Sequence, residues 1–471
     1  MLPSDQIVSA LKKMIDPARV LSDPVDLVTH AYDGTPHLQA VPAAIVQPIS
    51  TAEVSAVLRW AHDHAVIVVP RGSGTGLSGG SVPIQGGIVL SMVRMTQIEE
   101  IDEENLTVLA QAGTVTAELA AAVAEKGLFY PPDPGSMKIS TIGGNVVENS
   151  GGLRCLKYGV TEDYVLGLEC VLPNGDVFWT GSKSKKDVAG YNLKKLLVSS
   201  EGTLGVITKV LLRLVPPPQK TNTILAYFPD MVSAGNAVAG IIAGKIIPCA
   251  LEFLDNVTIN CVEDYTHIGL PRDIGALLLI QTDGYPAQVV EETEKVRVIC
   301  SQHGATQVKV AETPEETEKL AQARRVALSA LARRKPTTIL EDATVPRSKV
   351  PQMLAFIDAV RQKYNLEIGT FGHAGDGNLH PTCLTDERNT EEMERVEQCF
   401  DEIFKKAIEL GGTVTGEHGV GCMKSKYLSL MVGEGGIQVM RRIKASFDPQ
   451  GILNPGKIFV DQPSDSADQV V

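Results

Sequence analysis

Pro70-Arg71-Gly72-Ser73-Gly74-Thr75-Gly76-Leu77-Ser78-Gly79-Gly80 is the stretch that decides the fold of this 471-residue chain. It follows Ala65-Val66-Ile67-Val68-Val69, an apolar run that reads as a buried strand. Glycine at this density lets backbone N–H groups turn inward and approach an anion closely. The natural ligand is therefore the phosphate or pyrophosphate of a nucleotide cofactor. Gly72, Gly74 and Gly76 loosely imitate a Rossmann fingerprint, but that fingerprint must open a helix. Residues 77–87 instead hold four glycines and a proline, which forbid a stable helix, and lead into Ile88-Val89-Leu90-Ser91-Met92. The predicted unit is strand–loop–strand, with the anion held by backbone amides and no helix dipole.

Two more glycine-rich runs follow. One is Pro131-Pro132-Asp133-Pro134-Gly135-Ser136 continued by Thr141-Ile142-Gly143-Gly144-Asn145-Val146-Val147-Glu148-Asn149-Ser150-Gly151-Gly152. The other is Ser199-Ser200-Glu201-Gly202-Thr203-Leu204-Gly205-Val206-Ile207-Thr208. Together the three runs resemble the PCMH-type FAD domain of the vanillyl-alcohol oxidase superfamily, and the resemblance extends over nearly the whole chain. It implies an α+β fold, with a PCMH-type FAD-binding domain and an α+β cap domain built on an antiparallel sheet. It also implies that the first run wraps the FAD pyrophosphate, the second passes the ribityl chain and ring, and the third packs on the adenosine and ring system. Asn454 is assigned to the cofactor on the same grounds. Some members attach FAD covalently through a histidine in the first loop. This chain has Thr75 there and no histidine between His64 and His267, so non-covalent FAD is expected.

The bulk numbers are those of a soluble globular protein of two or three domains: 44% hydrophobic and 21% charged residues. A formal net charge of −13 argues against nucleic acid as a partner. Asp5, Lys12, Lys13, Asp16 and Arg19 leave no apolar core for a secretory signal near the start. No apolar run reaches the ~18 residues that span a bilayer. A cytoplasmic location is expected, peripheral to a membrane only through a partner. Eight cysteines occur singly without a C-x-x-C pair, which reads as buried thiols rather than an iron–sulfur or cysteine-type zinc site.

Ser50-Thr51-Ala52-Glu53 fits a capping box before a helix. Thr116 to Lys126 reads as a second helix closed by Gly127. Residues 168–172 and 177–180 around Pro173-Asn174-Gly175-Asp176 read as a hairpin. Pro216-Pro217-Pro218 ends the strand expected over residues 205–215 and marks the clearest boundary. The expected organisation is an FAD domain over 1–217, a substrate or cap domain over 218–415, a segment over 416–460 returning to the FAD domain and active site, and a disordered tail over 461–471.

The chemistry is expected at Gly372-His373-Ala374-Gly375-Asp376-Gly377-Asn378-Leu379-His380 and Gly416-Glu417-His418-Gly419-Val420-Gly421. Imidazole and carboxylate suit a divalent metal such as zinc, manganese or iron. The pattern alone equally allows histidines that merely hydrogen-bond their loops. Both segments resemble signatures of the D-2-hydroxyacid dehydrogenases within the superfamily, a group that includes FAD-linked D-lactate dehydrogenases, D-2-hydroxyglutarate dehydrogenases and glycolate oxidase D subunits. The resemblance implies His373, His380 and Glu417 as metal ligands and His418 as the base beside the flavin. It also implies that Arg324, in the helical stretch 320–328, grips the substrate carboxylate, which a guanidinium binds in two-pronged fashion; Arg325 reads as a solvated charge. The implied reaction is oxidation of a small D-2-hydroxyacid, lactate or glycolate, to the 2-oxoacid by hydride transfer to flavin N5. Electrons would leave to an iron–sulfur subunit or an electron-transferring flavoprotein. The rival readings are a metal-dependent hydrolase of a nucleotide-like substrate and an electron-relaying subunit of a larger complex.

Overall fold

In the computed structural model, which describes residues 2–311 and 313–459, the strand expected over residues 65–69 begins later, at Val68. Ala65 has a φ of 50° and Val66 donates back to the Ala61 carbonyl at 2.8 Å, so the chain first finishes the turn after helix Thr51–Asp63. That helix is capped by Ser50, whose hydroxyl accepts from Glu53 N at 3.3 Å. The reciprocal half of the capping box is missing. The Glu53 carboxylate accepts from Ile49 N at 2.9 Å and from Arg19 Nη2 at 2.6 Å instead.

The first sheet holds β1 (Val20–Leu21), β2 (Ala44–Val46), β3 (Val68–Arg71) and β4 (Ile88–Ser91) in the order β1-β2-β4-β3. β3 and β4 are parallel neighbours, so the glycine-rich loop between them is a strand-to-strand connection. The strand expected to reach Met92 stops at Ser91, where a short 3₁₀ turn, Met92–Arg94, takes over.

The second sheet holds β5 (Ile98–Asp102), β6 (Thr107–Gln111), β7 (Val165–Val171), β8 (Val177–Gly181) and β9 (Val206–Arg213) in the antiparallel order β5-β6-β9-β7-β8. The β7–β8 hairpin turns where the Asn-Gly pair placed it, with Gly175 N bonded to Leu172 O at 2.8 Å. The second glycine-rich run contains a helix, Ile142–Glu148, despite its two adjacent glycines; the Thr141 hydroxyl caps it. Helix Thr116–Ala124 stops two residues short of Lys126, and Gly127, at φ 69°, closes it.

At Pro216-Pro217-Pro218 the chain leaves the second sheet for the third. This comprises β10 (Lys220–Phe228), β11 (Ala250–Asp255), β12 (Ala276–Gly284), β13 (Gln307–Val310), β14 (Thr337–Leu340), β15 (Ala343–Thr344), β16 (Glu367–His373) and β17 (Asn378–Thr385). Its order is β13-β10-β12-β11-β16-β17-β14, with β15 also on β17, and every pair is antiparallel. Apolar clusters cover both faces. The fold is thus the α+β arrangement expected. The helical stretch around Arg324 is two helices, Pro314–Arg325 and Ala327–Leu331, divided at Val326. After helix Ser425–Phe447 the chain returns to β3: Val68 N donates to Ile452 O and Asn454 N to Val68 O, at 2.9 and 2.8 Å. The tail over residues 461–471 lies outside the described residues. Among the described residues no helix is long and apolar enough to cross a membrane.

Candidate active site

A cavity of about 550 Å³ opens between the three glycine-rich runs and the third sheet. Residues 70–77 form one wall. Pro134, Gly135, Thr141, Gly143, Gly144, Asn145 and Ser150 come from the second run, and Glu201, Gly202, Gly205, Val206 and Ile207 from the third. Arg324, His373, His380, Glu417 and His418 line it from the other side. Two of the glycines are fixed by what packs against them: a Cβ on Gly74, at φ 74°, would strike the Arg71 guanidinium, and one on Gly72 would strike the Thr141 hydroxyl. Arg71 is buried, and burial lowers its pKa; its Nη1 donates to Ser81 Oγ at 3.2 Å. The Ser73 hydroxyl is buried without a hydrogen-bond partner among the described residues. A cleft of this size, lined by exposed backbone and an orphaned hydroxyl, fits a nucleotide cofactor.

Gly79, Gly151 and Asn454, also expected at the cofactor, lie outside the cavity lining. Gly79 O accepts from buried Lys457 Nζ at 2.6 Å. Asn454 Nδ2 donates to Gly80 O at 2.9 Å and to Glu201 O at 2.8 Å, bracing the first run against the third.

The histidines are placed by strand register. His380 on β17 stands opposite Phe371 on β16, and His373 lies two residues beyond Phe371, so all three side chains share one sheet face. On β11, Leu254 pairs with Phe371, which puts Glu252 on the same face. Glu417 arrives from the C-terminal turn: its Oε1 is 3.2 Å from both His373 Nε2 and His380 Nε2. These three residues place their donor atoms within 4.8 Å of one another, as do Asp342, His380 and His418. Burial works against charge here. Even so, Glu252 and Glu417 hold the His373 imidazole well above its ordinary pKa, and His373 and His380 hold Glu417 well below its own. Two buried imidazoles converging on an ionised carboxylate are a donor set suited to a divalent cation.

Two acids that the sequence reading passed over organise this set. Glu252, 1% exposed, accepts from His373 Nδ1 at 2.8 Å with Oε1, and its Oε2 lies 2.6 Å from Arg324 Nε. Asp342 Oδ2 accepts from Gly416 N, Glu417 N and His418 N at 2.7, 3.0 and 3.2 Å, and from Thr415 Oγ1 at 2.9 Å. Its Oδ1 is 3.8 Å from His380 Nδ1, and its Oδ2 is 3.9 Å from His418 Nδ1. A lone acid inside the apolar run Ala250-Leu251-Glu252-Phe253-Leu254 was the signal that could have revealed Glu252. Arg324 is buried and its guanidinium lies 4.8 Å from the Phe371 ring centre. Arg325 is exposed yet also lines the cavity.

Gly151 joins the two halves. A Cβ there would sit 2.6 Å from Glu417 Oε2 and 3.3 Å from Cys155 Sγ. Gly151→Ala is expected to push the Glu417 carboxylate aside and lower turnover at least ~10-fold, since misplacing a positioning group by about 1 Å is costly. FAD absorbance of the purified protein should stay at the wild-type level. Unchanged turnover would show that the Glu417 position does not matter.

Residues 42–181 match the family model for an FAD binding domain, and residues 217–458 match that for the C-terminal domain of FAD linked oxidases. The chain belongs to the FAD-linked oxidase family. It is 57% identical over 432 residues to the glycolate oxidase subunit GlcD of Bacillus subtilis (strain 168), covering 92% of each chain. It is 37% identical over 451 residues to GlcD of Escherichia coli (strain K12), covering 96% of this chain and 90% of that one. A D-lactate dehydrogenase of Anaerostipes hadrus is 36% identical, with 89% and 90% covered. Among solved structures, p-cresol methylhydroxylase with substrate bound superposes with a TM-score of 0.80 at 18% identity, covering 98% of both chains. Alkyldihydroxyacetonephosphate synthase superposes with a TM-score of 0.74 at 22% identity, covering 97% of this chain and 86% of that one. Those two likenesses speak to the fold alone. With an FAD-binding domain in place, the glycine-rich cleft is read as holding a cofactor, which removes the ground for a nucleotide-like substrate and a hydrolase.

Proposed function

We propose that this chain is an FAD-dependent dehydrogenase of small D-2-hydroxyacids, with lactate or glycolate as substrate and the 2-oxoacid as product. The observation that carries the reading is a single cavity walled on one side by the glycine-rich runs and on the other by Arg324, His373, His380, Glu417 and His418. The relatives named for glycolate oxidase and D-lactate dehydrogenase support the substrate class. We divide the chain into an FAD domain to residue 217, a cap domain to 415, and a C-terminal segment returning to the site.

FAD supplies the hydride acceptor when bound. Its pyrophosphate is read as lying against the first glycine-rich run, residues 70–80, and its attachment as non-covalent, with Thr75 near the point where some superfamily members carry a linking histidine. Arg324 holds the substrate carboxylate. His418 removes the hydroxyl proton; burial pushes its imidazole down to about 4, so the ring is neutral at pH 7 and able to accept. His373, His380 and Glu417 would hold a divalent metal, zinc, manganese or iron, whose chemistry is polarisation of the hydroxyl. All eight cysteines are unpaired and singly placed. Electrons are therefore read as leaving to an external acceptor, an iron–sulfur subunit or an electron-transferring flavoprotein, which makes the protein part of a complex, cytoplasmic or peripheral to a membrane through that partner.

The test is anaerobic bleaching of the flavin band against a panel of 2-hydroxyacid enantiomers, repeated after chelation. Bleaching by D-lactate or glycolate, slowed by the chelator, is the expected result. A flavin reduced by no 2-hydroxyacid overturns the substrate class, and indifference to chelation overturns the metal.

A further inference from the structure

Glu252 sits where the fold needs no charge. Its neighbours on β11, Leu251, Phe253 and Leu254, are at most 1% exposed, and so is Glu252 itself. An apolar residue would pack there without the penalty of burying a carboxylate. What distinguishes the position is that its two oxygens face two different functional side chains. Oε1 is 2.8 Å from His373 Nδ1, and Oε2 is 2.6 Å from Arg324 Nε. We propose that Glu252 is a positioning residue that sets the substrate-binding arginine and the metal-binding imidazole together, through one shared carboxylate. The assignment of those two roles rests on the proposed function.

Each oxygen has a separate consequence. An ionised carboxylate only accepts, so its contact with Nδ1 fixes an N–H there and turns the ring so that Nε2 faces Glu417, 3.2 Å away. On the other side, the ion pair through Nε anchors Arg324 by its inner nitrogen, and the Phe371 ring, 4.8 Å from the guanidinium carbon, supports its face. The terminal nitrogens are then the end of the fork presented for a carboxylate in the cavity that Arg324 lines. The Nε–Oε2 contact is close but not aligned as a hydrogen bond. It acts as an electrostatic tether, and a neutral amide would not replace it. A carboxylate whose only role was to balance charge would tie substrate affinity and metal retention to no particular atoms.

Glu252→Gln keeps the volume and removes the charge. The test measures FAD content, melting temperature, KM and kcat for D-lactate, and retention of bound Mn²⁺ or Zn²⁺ during dialysis against a chelator, in Glu252→Gln, Arg324→Ala and the double variant. FAD content is the internal control. Metal affinity is expected to fall ~10–100-fold, the range for a lost outer partner of a metal-bound histidine, and KM to rise ~10-fold or more. In the Arg324→Ala background, Glu252→Gln should add no further rise in KM and should still cost the same metal affinity. Should Glu252→Gln fail to fold, Glu252→Asp, which keeps the charge at shorter reach, is expected to lose part of both properties. A KM penalty that persists without Arg324, or metal retention unchanged in either variant, would overturn the proposal. If no hydroxyacid reduces the wild-type flavin, the proposed function fails, while the metal-retention arm still decides the link between Glu252 and His373.

Discussion

His418→Ala is expected to purify yellow, with FAD at wild-type stoichiometry, and to be reduced by D-2-hydroxyacid ~10²–10⁴-fold more slowly, the range a positioned general base supplies. FAD retention follows because the glycine-rich runs, not this imidazole, make the cradle. The loss of rate follows from the state of the ring. Its side chain is largely enclosed between Asp342 and the His380 ring, whose centroid is 5.1 Å away, and desolvation lowers its pKa to about 4. It is therefore an acceptor across the physiological range, without needing to lose a proton first. Stopped-flow reduction under anaerobic conditions reads the substrate step directly. Reduction by dithionite serves as the control, since it bypasses the base. Substrate reduction at the wild-type rate would remove His418 from the proton step.

The parts legible in the sequence are those in which local backbone demands leave few residue choices. The runs at 70–80, 141–152 and 199–208 announce themselves because side chains there would collide: Gly72 with Thr141, Gly74 with Arg71, Gly151 with Glu417. The strand–loop–strand reading of the first run needed only the proline and glycines after Leu77. Other features depend on contacts made at long range. The helix Ile142–Glu148 was hidden by Gly143 and Gly144, which lower helix propensity; Gly143 is required because a Cβ would meet that of Ala112 at 2.6 Å. The Ser50 capping box looked complete, but Arg19, 34 residues away, recruits the Glu53 carboxylate. Glu252 and Asp342 went unseen because their importance arises only when β11, β16 and β17 align and the C-terminal turn folds back on them. Asn454, expected at the cofactor, uses its Nδ2 to brace the first run against the third, a contact that only the return of the chain to β3 creates.

Asp342→Ala should produce the other large effect, and on stability as well as on rate. The wild-type carboxylate collects three consecutive backbone N–H groups, those of residues 416–418, and the Thr415 hydroxyl. Without it these part-buried donors lose their shared acceptor, at a cost of about 1–3 kcal/mol. Burial opposes the charge on Asp342, but His418, Lys424 and His380 hold its pKa below the usual carboxylate range. A depressed folded-state pKa means its stabilisation is complete above about pH 4 and fades as pH falls below that. At pH 7 the variant therefore suffers the full loss. The damage should be local first: faster amide exchange at residues 416–418, then a lower denaturation midpoint, and at least ~10²-fold lower turnover as Glu417 and His418 lose their fixed positions. Asp342→Asn separates the two roles. Its amide oxygen still accepts the backbone bonds, so most of the stability should return. Its NH₂ then replaces Oδ1, the acceptor facing His380, and the negative charge beside His418 is gone, so activity should stay low. Recovery of full activity in Asp342→Asn would mean that the carboxylate only builds the turn and does not set the imidazoles.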